Sequence, residues 1–263
     1  MDGIELLRAG FVRFAPVKHP PTVIPVAGTA AVPAPATVPA WKRILDVSLT
    51  LGALPVLVPM SAVIAVAIKC VSRGPVLFRQ ERIGLNGKPF ICLKFRTMRV
   101  NAPTTGHQAY LATLMKSDQP MTKMDCKGDP RLIPLGSILR STGLDELPQL
   151  INVVRGEMSI VGPRPCLRYE YDSYEPWQKQ RFNSLPGLTG LWQVNGKNKT
   201  TFEQMIRMDI RYAETRSLRL DLLIMLKTVP VLVLQAAEML RRRSRPSNAT
   251  PAPGAEKDTG RAA

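Results

Sequence analysis

The chain has 263 residues, 45% of them hydrophobic, and a formal net charge of +16, so one sizeable domain with tails fits. A sequence pI of about 10.2 points to anionic partners: a membrane surface, phosphates or nucleic acid. The four cysteines, Cys70, Cys92, Cys126 and Cys166, lack C-x-x-C spacing and only His19 and His107 accompany them, which excludes a zinc finger or disulfide framework and fits a reducing cytoplasm.

In chain order, residues 1–40 repeat proline among Ala, Val and Thr without periodicity, and predict a disordered or polyproline-like arm rather than a secretory signal. Residues 44–68 form the one long apolar segment, with Asp46 near its start and Pro55 and Pro59 inside. As a continuous helix about 25 residues would reach about 37 Å, more than the ~30 Å of bilayer hydrocarbon. Lys42 and Arg43 precede it, and Lys69, Arg73, Arg79 and Arg82 follow, so a positive-inside rule puts both ends on the cytoplasmic side. A bent re-entrant hairpin meets that condition; a true span and a buried core helix are the alternatives.

Two short runs, 76–82 and 89–95, flank Asn86-Gly87 and predict a β-hairpin whose second arm ends in Lys94-Phe95-Arg96. Residues 101–128 read as an insertion with one short helix near 109–116, and Asp129-Pro130-Arg131 and Arg140 lead on to the most informative stretch. In Ser141-Thr142-Gly143-Leu144-Asp145-Glu146-Leu147-Pro148, Thr142 is placed to cap a helix and Asp145 to complete a capping box. Leu147, Leu150, Ile151 and Val154 then predict the buried face, leaving Asp145, Glu146, Gln149 and Asn152 outside it. Two acids at a positive helix end suit a charged nucleophile or a metal-bound phosphate, and the bland alternative is simple compensation of the dipole.

Arg155-Gly156-Glu157-Met158-Ser159-Ile160-Val161-Gly162-Pro163-Arg164-Pro165 follows, with Arg164 held between two prolines. A stiffly mounted guanidinium matches phosphate oxygens bidentately. Residues 169–182 look helical, with Trp177 as an interface anchor; 186–196 read as a Gly-rich turn running into a strand; 201–216 and 220–240 read as amphipathic helices, the last containing Pro230 and ending in Arg241-Arg242-Arg243. The domain is expected at 41–240, with a basic, disordered tail over 241–263.

Residues 144–165 closely resemble the signature of the bacterial sugar transferases that make polyprenyl-diphosphate sugars, the monotopic phosphoglycosyl transferases, and the resemblance extends over about 41–233. It implies an α/β but mostly helical fold: an N-terminal re-entrant membrane hairpin, a small cytoplasmic catalytic domain, amphipathic interface helices and a short β-hairpin. It further implies a UDP-sugar donor, a polyprenyl (undecaprenyl) phosphate acceptor, Mg²⁺, and a place at the inner membrane in exopolysaccharide-type synthesis. On that pattern Asp145 is the nucleophile and Glu146 the metal ligand and second catalytic acid, while Lys94, Arg96, Arg140 and Arg164 meet substrate phosphate. Val58 departs from the pattern, since Ser commonly precedes the bend proline. The sugar and any homo-oligomer stay open. The competing classes are a nucleic-acid-binding module, which explains only the charge, and a membrane-adhering protein without catalysis, which gives Asp145, Glu146 and Arg164 no task.

Overall fold

The computed structural model describes residues 35–102, 113–115, 117, 119–120, 129, 131–196 and 200–243. The arm ahead of residue 35, most of the 101–128 insertion and the tail after residue 243 lie outside the described residues.

Helix α1, Ala40–Val71, is the longest element, and it carries Pro55 and Pro59 inside one continuous helical run. Two prolines four apart predict a break or a sharp bend, and the helical run is not interrupted at them. Its first turns bury a polar stripe at helical spacing, Lys42, Asp46 and Thr50, while Leu51, Leu54, Val56, Val58 and Val63 beyond it are exposed. Such a distribution is inside out for a water-soluble core helix. Two of them find partners in the rest of the chain, since Lys42 Nζ lies 2.6 Å from Asp221 Oδ2 and Asp46 Oδ1 accepts from Ser159 Oγ at 2.9 Å and Ile160 N at 3.0 Å, while Thr50 Oγ1 donates back to the Asp46 carbonyl at 2.7 Å within the helix. The Arg43 guanidinium donates to the carbonyls of Val153 and Val154. At the far end Ile64 and Ile68 pack on Phe95, Ile133 and Leu139. Among the described residues this is the one helix long and apolar enough to cross a membrane.

The hairpin signalled by Asn86-Gly87 forms. Strands β1, Leu77–Ile83, and β2, Pro89–Phe95, pair antiparallel with Phe78 opposite Lys94, Gln80 opposite Cys92 and Arg82 opposite Phe90. Asn86 at φ 56° and Gly87 at φ 73° supply the left-handed residues of the turn. Helix α2, Gly136–Thr142, a 3₁₀ turn, Leu144–Glu146, and helix α3, Gln149–Arg155, then lead to strand β3, Ser159–Val161. After helix α4, Arg168–Asp172, and a 3₁₀ segment, Gln178–Asn183, strand β4, Gly187–Thr189, pairs parallel with β3. Short helix α5, Leu191–Val194, precedes α6, Phe202–Thr215, and α7, Leu218–Arg243.

The described chain is thus mostly helical, with two two-stranded sheets. Thr201 caps α6 reciprocally with Gln204, and Phe202, Met205, Ile206 and Ile210 bury its apolar face on Ile83, Tyr174, Phe182 and Trp192. Three local expectations change. Residues 169–182 break into two pieces instead of one helix. Trp177 packs against this core, with the Arg207 guanidinium 5.1 Å from its ring, rather than standing out as an anchor. In 186–196 the strand comes first and a helical turn follows, because Trp192 and Leu191 turn inward to fill the core.

Candidate active site

The acidic pair sits on a turn, not on the helix expected for it. Thr142 closes α2, with its Oγ1 bonded back to the Ile138 carbonyl at 2.8 Å, so it caps nothing ahead. Gly143 then adopts φ 73°, the left-handed C-terminal stop that glycine takes without a Cβ penalty, and the chain tightens into Leu144–Glu146. Pro148, which has no N–H, stands directly before α3. Leu144 and Leu147 press the turn onto Ile64 and Ile68 of α1, together with Phe95 at the end of β2. The turn is therefore seated where the apolar helix meets the hairpin.

This seating brings Asp145, Glu146 and Lys94 together. Lys94 Nζ lies 2.8 Å from Glu146 Oε1, and Asp145 beside it is 8% exposed. One strand position back, burial pushes the Cys92 thiol up; Lys94 and Arg82 oppose this, while Glu146 and Asp145 add to it, so all four charges act on one spot. Arg140 lies in the last turn of α2 just ahead of Gly143.

Helix α3 fixes the turn through a residue that sequence patterning placed outside the buried face. Asn152 is fully buried: its Oδ1 accepts from Leu93 N at 3.1 Å and its Nδ2 donates to Ile91 O at 2.7 Å, so one carboxamide closes the free edge of β2. Glu157 Oε2 accepts a further bond from Nδ2 at 2.6 Å. Asp145, Gln149, Asn152 and Val153 face inward, whereas Ile151 and Val154 are exposed. The expected burial is thus reversed at Ile151 and Val154, while Leu147 packs inward as expected.

The phosphate-binding candidates part company. Arg96 is buried and donates to the carbonyls of Ser72, Arg73 and Pro75 and to Ser72 Oγ at 2.6 to 3.0 Å, which commits its guanidinium to the end of α1. Arg164 is half buried in the loop after β3, and the described residues give its guanidinium no hydrogen bond. Gly162 is needed there for space rather than for a positive φ, since a Cβ would stand 2.2 Å from Leu185 O. Next to Arg164, Arg82 donates to Pro165 O at 3.1 Å, and burial together with the Arg164 charge lowers its pKa. Arg82 shares the hairpin face of Cys92 and Lys94, which links the Arg164 loop to the acidic turn. The sequence reading counted Arg82 only as a topological charge; the period-2 pairing across Asn86-Gly87 was the signal that would have placed it.

Among the described residues no three His, Cys, Asp or Glu side chains gather as a protein-only metal cage. Adjacent hard oxygens on Asp145 and Glu146, the latter 37% exposed, suit Mg²⁺, which keeps waters and shares itself with substrate phosphates.

Residues 37–235 match the family model described as bacterial sugar transferase. The chain is 39% identical over 193 residues to the exopolysaccharide production protein ExoY of Sinorhizobium fredii, covering 73% of this chain and 85% of that protein. It is 42% identical over 200 residues to a UDP-glucose:undecaprenyl-phosphate glucose-1-phosphate transferase of Caulobacter vibrioides, at 73% and 69% coverage. An undecaprenyl-phosphate galactose phosphotransferase of Salmonella typhimurium shares 37% identity over 166 residues, 61% of this chain but 34% of that longer protein. The matched span includes the acidic turn seated on the apolar helix and faced by Lys94. The chain belongs to the bacterial sugar transferase family.

Proposed function

We propose that this enzyme moves a hexose 1-phosphate from a UDP-sugar to undecaprenyl phosphate, releases UMP and works through a covalent intermediate on Asp145. The observation that carries the reading is the Leu144–Glu146 turn, which holds two carboxylates and Lys94 against the root of α1, where a soluble donor and a lipid acceptor can both arrive. An Asp145 carboxylate oxygen attacks the sugar-bearing phosphorus; the bond from that phosphorus to the bridging oxygen breaks and its electrons leave with UMP. An acceptor phosphate oxygen then attacks the same phosphorus, and the Asp145 oxygen leaves as carboxylate. Splitting the transfer lets one site serve the two substrates in turn.

Lys94 and Arg164 offset the phosphate charge that would repel an anionic nucleophile, and Arg140 is placed to join them. Arg96 keeps a structural task. Glu146 would hold Mg²⁺, which when bound supplies charge neutralisation at substrate phosphate. On this reading the enzyme works at the inner membrane, with the described domain facing the cytoplasm, and carries out the initiating step of an exopolysaccharide-type glycan.

The test is a half-reaction. Wild-type enzyme with Mg²⁺ and UDP-glucose or UDP-galactose, but no acceptor, should release about one UMP per site and gain the mass of a sugar phosphate. Asp145→Asn should give neither, and Glu146→Gln should raise the Mg²⁺ requirement or abolish its effect. An adduct on Asp145→Asn, or lipid product without any adduct, would sink the two-step account.

A further inference from the structure

The loop that carries Arg164 has an unusual mode of attachment. Pro163 and Pro165 have no N–H, so the segment is held chiefly through its carbonyls. Four in succession are taken by four different donors: Pro163 O by Gly187 N at 2.8 Å, Arg164 O by Arg181 Nη2 at 2.7 Å, Pro165 O by Arg82 Nη1 at 3.1 Å and Cys166 O by Ile83 N at 3.0 Å. The donor at the arginine itself is a buried side chain from the 3₁₀ segment Gln178–Asn183. Arg181 also lies 2.5 Å from Asp209 Oδ2 on α6 and donates to Tyr174 OH at 2.8 Å. Its guanidinium carbon is 5.7 Å from the Tyr174 ring and 5.6 Å from that of Phe182.

Burying an ion pair is a poor way to stabilise a core, because desolvation of both charges offsets their attraction and apolar replacements often do as well. The geometry gives the pair another task. A guanidinium is rigid and forked, so it can hold a carbonyl, a carboxylate and a phenol at once and fix their mutual positions. Asp209 keeps the Arg181 charge paired, α6 is locked in the core, and the same Nη2 that meets Asp209 also donates to the carbonyl of Arg164, whose own fork finds no hydrogen bond among the described residues. We propose that Arg181, balanced by Asp209, is a positioning residue: through the Arg164 carbonyl it sets the place from which the Arg164 guanidinium meets the donor diphosphate. This rests on the reading that Arg164 binds donor phosphate.

The experiment is a double-mutant cycle on the full chain in detergent, with UDP-glucose and UDP-galactose as donors and undecaprenyl phosphate as acceptor. Arg181→Lys keeps the charge but loses the fork, and should raise the donor KM by roughly tenfold or more while leaving the acceptor KM unchanged. In an Arg164→Ala background the same substitution should change donor KM by no more than about twofold, because its effect acts through the missing side chain. Where Arg181→Lys does not give folded protein, Asp209→Asn, which keeps shape and an acceptor oxygen, takes its place with the same expected pattern. Losses that multiply in the double variant, or a wild-type donor KM in the single one, overturn the inference and leave the Arg164 reading standing. A wild-type donor KM for Arg164→Ala overturns that reading first, and the positioning role with it.

Discussion

Asn152 shows how a polar side chain can outrank apolar ones in building this site. From a fully buried position its carboxamide satisfies one donor and one acceptor on β2 and a carboxylate oxygen on Glu157. Asn152→Asp would keep the acceptor for Leu93 N but set a carboxylate against the Ile91 carbonyl and Glu157. Each polar group stranded in this way costs about 1–3 kcal/mol, so a clear fall in melting temperature and a loss of turnover are expected. A variant as stable and active as wild type would remove Asn152 from the support of the acidic turn. Arg82 and Arg96 make the complementary point. Both are buried arginines of the same hairpin, yet one donates next to Arg164 while the other is absorbed by the carbonyls after α1, and nothing in their residue type separates the two. What separates them is their place, at opposite ends of the hairpin.

At the level of elements, the sequence identified the hairpin through Asn86-Gly87 and α6 through Thr201 and its apolar stripe, because both signals are local. It located the acidic pair and the Pro-Arg-Pro loop as well. It misplaced Ile151 and Val154 of α3, though not Leu147, and the reason is physical: a periodic stripe tells which residues share a face, whereas the choice of the buried face assumes water outside. Here Ile151 and Val154 point away from the domain, as do Leu51, Leu54, Val56, Val58 and Val63 of α1 and Leu222, Leu226, Val229 and Val233 of α7. Helix α7 also reaches the acidic turn, since a Cβ on Gly143 would lie 3.7 Å from Leu232 Cδ2. If the outward stripe on α3 meets lipid, Ile151→Ser with Val154→Ser should cost no more than about 0.5 kcal/mol per site in detergent-free unfolding of the folded domain, and should weaken vesicle binding. Losses of about 2–5 kcal/mol, the scale of core truncation, would return these residues to a buried face.

For the whole molecule the decisive question is where α1 goes. A straight helix of 32 residues would be about 48 Å long, more than a bilayer core requires. Both of its ends are nevertheless bound to one domain. At the start, Lys42 meets Asp221, Asp46 meets Ser159, and Arg43 meets the end of α3; at the finish, Ile64 and Ile68 meet Phe95 and Leu139, and Arg96 holds the carbonyls of Ser72 and Arg73. Between these anchor points lie the exposed apolar residues and the two prolines, which is the arrangement a re-entrant segment needs: an apolar middle dipped into lipid and both ends returned to the same leaflet. The basic residues at both ends favour the cytoplasmic side. Val38→Cys and Arg73→Cys, each in a Cys70→Ser background, should therefore both resist a membrane-impermeant thiol reagent in intact cells and both react once the cells are opened. Labelling of one site alone in intact cells would establish a true span, and the attachment of α1 to the domain at both ends would then have to give way.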